Sequence, residues 1–211
     1  MKITKFGHCC MLIDIDGVKI LTDPGSFTTE QNDVTGLDAV LITHSHGDHY
    51  HADSVPHLKN NNPDAIFVTN AEVGELLKKE NVEFTKVGDG EKTDVKGISI
   101  EGFGTKHAEI YGDMGQVENT AYLVAEKFYF PGDNFEIPRK SVDVLALPVA
   151  GPWLKIKDVI NFAKEIKART AFGVHDGMIV PPFRGFVGTA LKMFVLGTEY
   201  VSMQDGETRE F

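Results

Sequence analysis

Residues 38–50 read DAVLITHSHGDHY. An apolar run ends at Thr43, and His44, His46, Asp48 and His49 follow within six residues. Such a run reads as a strand buried on both faces. The chain must therefore place a dense polar cluster at the end of a core strand. Side chains two apart near a strand end project to the same side, so His44 and His46 can reach one ion. Asp48 and His49 are neighbours, point apart, and could serve a second ion beside the first. Imidazole and carboxylate at this density suit zinc, or alternatively manganese or iron. The plainer reading is a solvated histidine-rich loop that binds metal adventitiously. The ordered spacing directly after a buried strand weighs against it.

The rest of the chain supplies the frame for this loop. Residues 11–15 and 18–22, joined at Asp16-Gly17, have the pattern of a hairpin. Residues 98–103 read as a strand, residues 121–130 as a second hairpin, and residues 142–147 as a second buried strand. Helical spacing runs over 71–80, and 157–168 is amphipathic through Val159, Ile160, Phe162, Ala163 and Ile166. The two halves share an order. Hairpin, TDPGSF, DAVLIT and the histidine loop are matched by hairpin, FPGDNF, VDVLAL and PVAGPW. This is the pattern of a diverged internal duplication, and it predicts two packed sheets with helices outside.

Other potential ligands follow strand-like runs. His107 comes after EGFGTK, Asp133 after FYFP, and His175 after TAFGV. Each alone has a plain reading, as a loop histidine, a turn residue and a cap. Their joint occurrence with H-x-H-x-D-H makes a shared site the stronger expectation.

Read in order, KITKFGHCCMLIDIDGVKILTDPG, LITHSHGDHY, GTKHAE, FYFPGDN and GVHDG resemble the metallo-β-lactamase-fold hydrolases over essentially the whole chain. Within that group the chain is similar to the small single-domain branch related to L-ascorbate-6-phosphate lactonase. The resemblance implies an α+β fold, a four-layer αββα sandwich of two mixed sheets with helices outside, as one domain over residues 1–211. It implies that His44, His46 and His107 hold one metal, that Asp48, His49 and His175 hold another, and that Asp133 bridges them. Two divalent ions, zinc before manganese or iron, would then activate water to attack a small ester, lactone or phosphoester. Asp48 is the candidate catalytic residue, orienting or deprotonating that nucleophile.

Several residues have more than one reading. His8, in FGHCC, is a donor to a ligand, a substrate contact or a packed hairpin residue. Asp23, in TDPG, is a structural turn residue or a partner of a ligand histidine. Trp153 and Arg184 are expected in loops that overhang the site, where the arginine could hold an anionic substrate. Cys9 and Cys10 read as small core residues, His51 and His57 as bystanders, and Asp53 as a helix N-cap.

Competing functions are a diiron-type redox protein and a non-catalytic metal-binding protein of the same fold. The redox relatives carry Glu where this chain has His46. The formal net charge of −10 argues against nucleic acid as a general partner. No apolar run reaches membrane-spanning length, and the first residues do not read as a signal peptide. Two adjacent cysteines offer no disulfide framework, so a cytoplasmic location is expected. A small-molecule substrate is expected, no membrane partner is, and a homo-oligomer is compatible with the sequence.

Overall fold

The computed structural model describes residues 1–211, the side chain of Pro181 excepted. Strand β1 (Lys2–Gly7) leads into the expected hairpin, β2 (Cys10–Ile15) and β3 (Val18–Thr22). The buried strand β4 (Ala39–Ile42) follows, then helix α1 (Ser54–Asn61), β5 (Ile66–Thr69), α2 (Ala71–Lys79) and β6 (Phe84–Lys86). The second half opens with β7 (Lys92–Val95) and β8 (Ile98–Phe103), and continues with the hairpin of β9 (Ala121–Val124) and β10 (Phe128–Phe130). Then come β11 (Val144–Pro148), α3 (Ile156–Ile166), β12 (Thr170–Val174), α4 (Pro181–Phe194), β13 (Glu199–Val201) and β14 (Thr208–Glu210).

The strands form two seven-stranded mixed sheets, ordered β14-β1-β2-β3-β4-β5-β6 and β7-β8-β9-β10-β11-β12-β13 in matching direction. In each, the first three pairings are antiparallel and the last three parallel. The β2–β3 hairpin thus occupies the place of the β9–β10 hairpin, and β4 the place of β11. The duplication expected from the sequence is a repeat of pairing pattern. One departure is a chain-order swap: the position of β7 is filled in the other sheet by the C-terminal β14.

Period-two alternation sorts the core into layers. Ile13, Ile20 and Leu41 face Tyr122, Phe128, Val144 and Phe172 between the sheets. Their neighbours Leu21, Val40 and Ile42 face outward under Val55, Leu58, Val73 and Leu77 of α1 and α2. Leu145 and Leu147 likewise lie under Val159, Phe162, Val187 and Leu191 of α3 and α4. The result is the αββα sandwich. No helix among the described residues is long and apolar enough to cross a membrane.

Three local expectations are corrected. Arg184 is not in a loop: it lies in the first turn of α4, which proline opens because proline is already set for the first helical turn. Asp53 takes the N-cap position of α1, but its backbone is already helical (φ −68°, ψ −24°) and its side chain makes no capping bond. A capping side chain reaches back only from an extended residue. Trp153 is in a loop but is buried rather than overhanging.

Candidate metal centre

Asp23 and the seven candidate ligands each come from the segment just after a strand: β3, β4, β8, β10 or β12. Parallel strands of one sheet end at the same edge, and that edge is where α/β sheets offer binding crevices. The two sheets put these edges together, so segments far apart in sequence share a few ångströms.

Asp23, after β3, is the buried floor. It accepts from the Thr43 backbone N–H (2.8 Å), from the Thr43 hydroxyl (2.7 Å) and from His49 Nδ1 (2.6 Å). Thr43 thereby gives its only hydroxyl proton to Asp23. Its oxygen, 3.0 Å from His44 Nδ1, is left as an acceptor from that nitrogen. His107 Nδ1 donates to the carbonyl of Ala108 at 2.6 Å. Three histidines are thus held through Nδ1, which leaves Nε2 as the atom that can meet a metal. This is how proteins orient imidazoles toward a metal.

The Nε2 atoms converge on Asp133. Its Oδ1 is 3.2 Å from His49 Nε2, and its Oδ2 is 2.9 Å from His175, 3.3 Å from His107 and 3.9 Å from His44. Two tight groups overlap there: His44, His46, His107 and Asp133, and His8, Asp48, His49 and His175. The seven residues singled out as ligands from the sequence therefore lie together, with Asp133 beside both groups. His44 Nε2, His49 Nε2, His175 Nε2 and Asp133 Oδ1 are buried and make no well-aligned hydrogen bond despite these short distances. Unpaired buried polar atoms cost free energy, and divalent cations held by the two groups would satisfy them.

His8 belongs to the second group by position but carries the opposite tautomer. Its Nδ1 accepts from the Gly177 N–H (3.2 Å), so Nε2 bears the proton and donates to Asp48 Oδ2 at 3.1 Å. It orients Asp48 and offers no lone pair. Trp153, also missing from the mouth, donates its indole N–H to Asp133 Oδ2 at 2.9 Å. Arg184 pairs with Asp205 (3.2 Å) and Asp176 (3.5 Å), so its charge is already answered. His51 meets Ser54, His57 is exposed, and Cys9 and Cys10 are buried free thiols.

Asn119 was not singled out in the sequence. Its buried Oδ1 accepts from the Asp133 N–H (2.9 Å) and its Nδ2 donates to the Pro131 carbonyl (3.0 Å), pinning the turn that carries Asp133.

The electrostatics follow from this packing. Burial pushes His44 well below the usual imidazole range, and the neighbouring His49 pushes it further. Burial acts the same way on His49, but Asp133 and Asp23 outweigh it and the net direction is strongly upward. Burial opposes ionisation of Asp133, yet His49 and His175 hold it well below the carboxylate range. Asp48 is likewise held ionised against burial, by His175 and His8. The centre is a buried cage in which ionised Asp48 and Asp133 face several imidazoles.

A two-sheet αββα sandwich with this histidine and aspartate cage at one edge defines the metal-dependent hydrolases of the metallo-β-lactamase fold. The chain belongs to that superfamily: the family model described as "Beta-lactamase superfamily domain" matches residues 2–175. It is 32% identical over 194 residues to Protein Rv0786c of Mycobacterium tuberculosis, covering 88% of each chain. A UPF0173 metal-dependent hydrolase of Geobacillus thermodenitrificans is 29% identical, covering 86% of this chain and 88% of its own. Among solved structures, Igni18, a metallo hydrolase from Ignicoccus hospitalis, superposes with a TM-score of 0.79 at 21% identity, covering 100% of this chain and 98% of that one.

Proposed function

We propose that the chain, as one domain, holds two divalent cations and hydrolyses a small ester, lactone or phosphoester. The carrying observation is the set of four buried, unpartnered polar atoms on His44, His49, His175 and Asp133. His44, His46 and His107 would hold one ion, Asp48, His49 and His175 the other, and Asp133 would lie between them. Nitrogen and carboxylate donors at this density favour zinc, with manganese and iron as substitutes. Bound there, the ions supply acidified water at neutral pH and polarise the substrate oxygen.

The chain's own residues do the remaining work. Asp48, held through one oxygen by His8 at 3.1 Å, keeps its other oxygen to orient the attacking water or take its proton. Asp23 and Thr43 hold imidazoles at fixed angles, so the ligand set needs little reorganisation. Trp153 and Asn119 fix Asp133 from side chain and backbone. Because Arg184 is neutralised by Asp176 and Asp205, it supplies no anchor for an anionic substrate. A cytoplasmic setting with a small-molecule substrate fits the free thiols and the acidic balance.

The test is metal content by plasma mass spectrometry on purified protein, with assays on a panel of lactones, phosphodiesters and thioesters. Two zinc ions and turnover of one substrate class are expected. A well-folded protein that retains no metal, or one holding two irons with peroxide turnover, overturns the reading.

A further inference from the structure

A buried lysine stands out beyond the candidate ligands. Lys5, on β1, points to the same face as Ile3, into the space between the sheets, and its side chain has no exposure. Its ammonium donates to Asp176 Oδ2 at 2.7 Å, and Asp176 belongs to the segment after β12 in the other sheet. Such a pair gains little stability over apolar residues of similar shape, because both charges lose their water. A methionine would fill the same space, so packing alone does not account for the lysine.

What the pair touches supplies an account. Asp176 lies between His175 and Gly177. His175 is in the left-handed region (φ 58°), which disfavours any residue with a Cβ. Facing it, His8 is left-handed too (φ 51°). Two bonds join these turns: the His175 N–H donates to the His8 carbonyl at 3.2 Å, and the Gly177 N–H donates to His8 Nδ1 at 3.2 Å. His8 then donates to Asp48. The 175–177 turn therefore sets the direction of His175 directly and of Asp48 through His8. Two strained turns persist only when their surroundings over-determine them, and the Lys5–Asp176 pair anchors the middle residue.

We infer that Lys5 and Asp176 are positioning residues for one half of the centre, holding His175 and, through His8, Asp48 in place for the second ion. This rests on the two-ion reading above. The His44, His46 and His107 side draws on other strands and meets this half at Asp133.

The experiment is stepwise titration of metal-stripped protein with Co(II), each ion followed by its visible absorption. Wild type takes up two ions. In Lys5→Met the second ion binds about 10- to 100-fold more weakly, the usual size of an outer-contact loss, while the first is unchanged. The double variant Lys5→Met with Asp176→Asn removes both charges together. Its thermal midpoint returns toward wild type, since the buried carboxylate goes with its lysine while Arg184 keeps Asp205, yet the second ion stays weak. The inference falls if second-ion affinity recovers along with the thermal midpoint, if both ions weaken in step, or if neither changes. Wild type taking up fewer than two ions would sink the two-ion reading instead. Should Lys5→Met fail to fold, the double variant carries the comparison alone.

Discussion

Asp133 is where single-residue chemistry is most concentrated, because one carboxylate lies within 4 Å of four imidazoles. Asp133→Asn keeps its shape and removes its charge. Bound metal should fall below two ions per chain, by plasma mass spectrometry, with hydrolysis lost by orders of magnitude; unchanged stoichiometry would show that Asp133 does not bridge. The histidines give a second prediction. Burial pulls His175 down, but Asp133 outweighs it and the imidazole is pushed up to about 9; His49 moves the same way. A value near 9 means that His175 carries a second ring proton at about pH 7.5 in the metal-free chain. A coordinating nitrogen must give that proton up. Zinc uptake should therefore release protons, and zinc affinity should weaken as pH falls. Calorimetry in buffers of different ionisation enthalpy reads the proton count, and a value of zero would contradict the arrangement.

Elements reach the centre through a few close backbone approaches. A Cβ built on Gly25 would sit 1.8 Å from the Asp48 carbonyl oxygen, so the turn after β3 lies directly against the histidine loop. Gly132 is held at φ 61°, and a Cβ there would meet Asn119 Oδ1 at 2.5 Å. Gly25→Ala should destabilise the protein by about 1–3 kcal/mol in urea unfolding, the scale of overpacking a tight site, and lower metal content with it. A stable, fully loaded variant would mean that the loop does not need this contact. The same elements show what is legible in sequence. The β4 run, the two hairpins and the α3 stripe each bury a face of fixed period, so hydrophobic pattern alone places them. α4 does not show: two prolines, two glycines and exposed Phe183 and Phe186 blur its period, and Arg184 was read as loop. Strands β6, β7, β13 and β14 span three or four residues and take their identity from a neighbour's edge. The ligand residues were legible because donors of this type are rare at such density. Asn119, Lys5 and Asp176 were not, because their roles depend on hydrogen bonds and an ion pair between distant segments.

For the whole molecule, the cage sets stability as well as chemistry. The two sheets repeat one pairing pattern, and residues from both meet at a single edge. There the fold packs imidazoles and carboxylates whose buried polar atoms have no partner within the protein. That arrangement costs folding free energy unless a cation is bound. A ligand that binds only the folded state adds RT ln(1 + [L]/Kd), about 4 kcal/mol at a thousandfold excess over Kd. In a chain of this size each kcal/mol moves the thermal midpoint by roughly 2–4 °C, so removing zinc with a chelator should lower it by about 8–16 °C. Scanning calorimetry at several free zinc concentrations checks this. The midpoint should climb steadily with zinc, and in Asp133→Asn the climb should shrink. If stripped and loaded wild-type protein melt together, the folded edge does not take up metal, and the four unpartnered atoms must be satisfied by water instead.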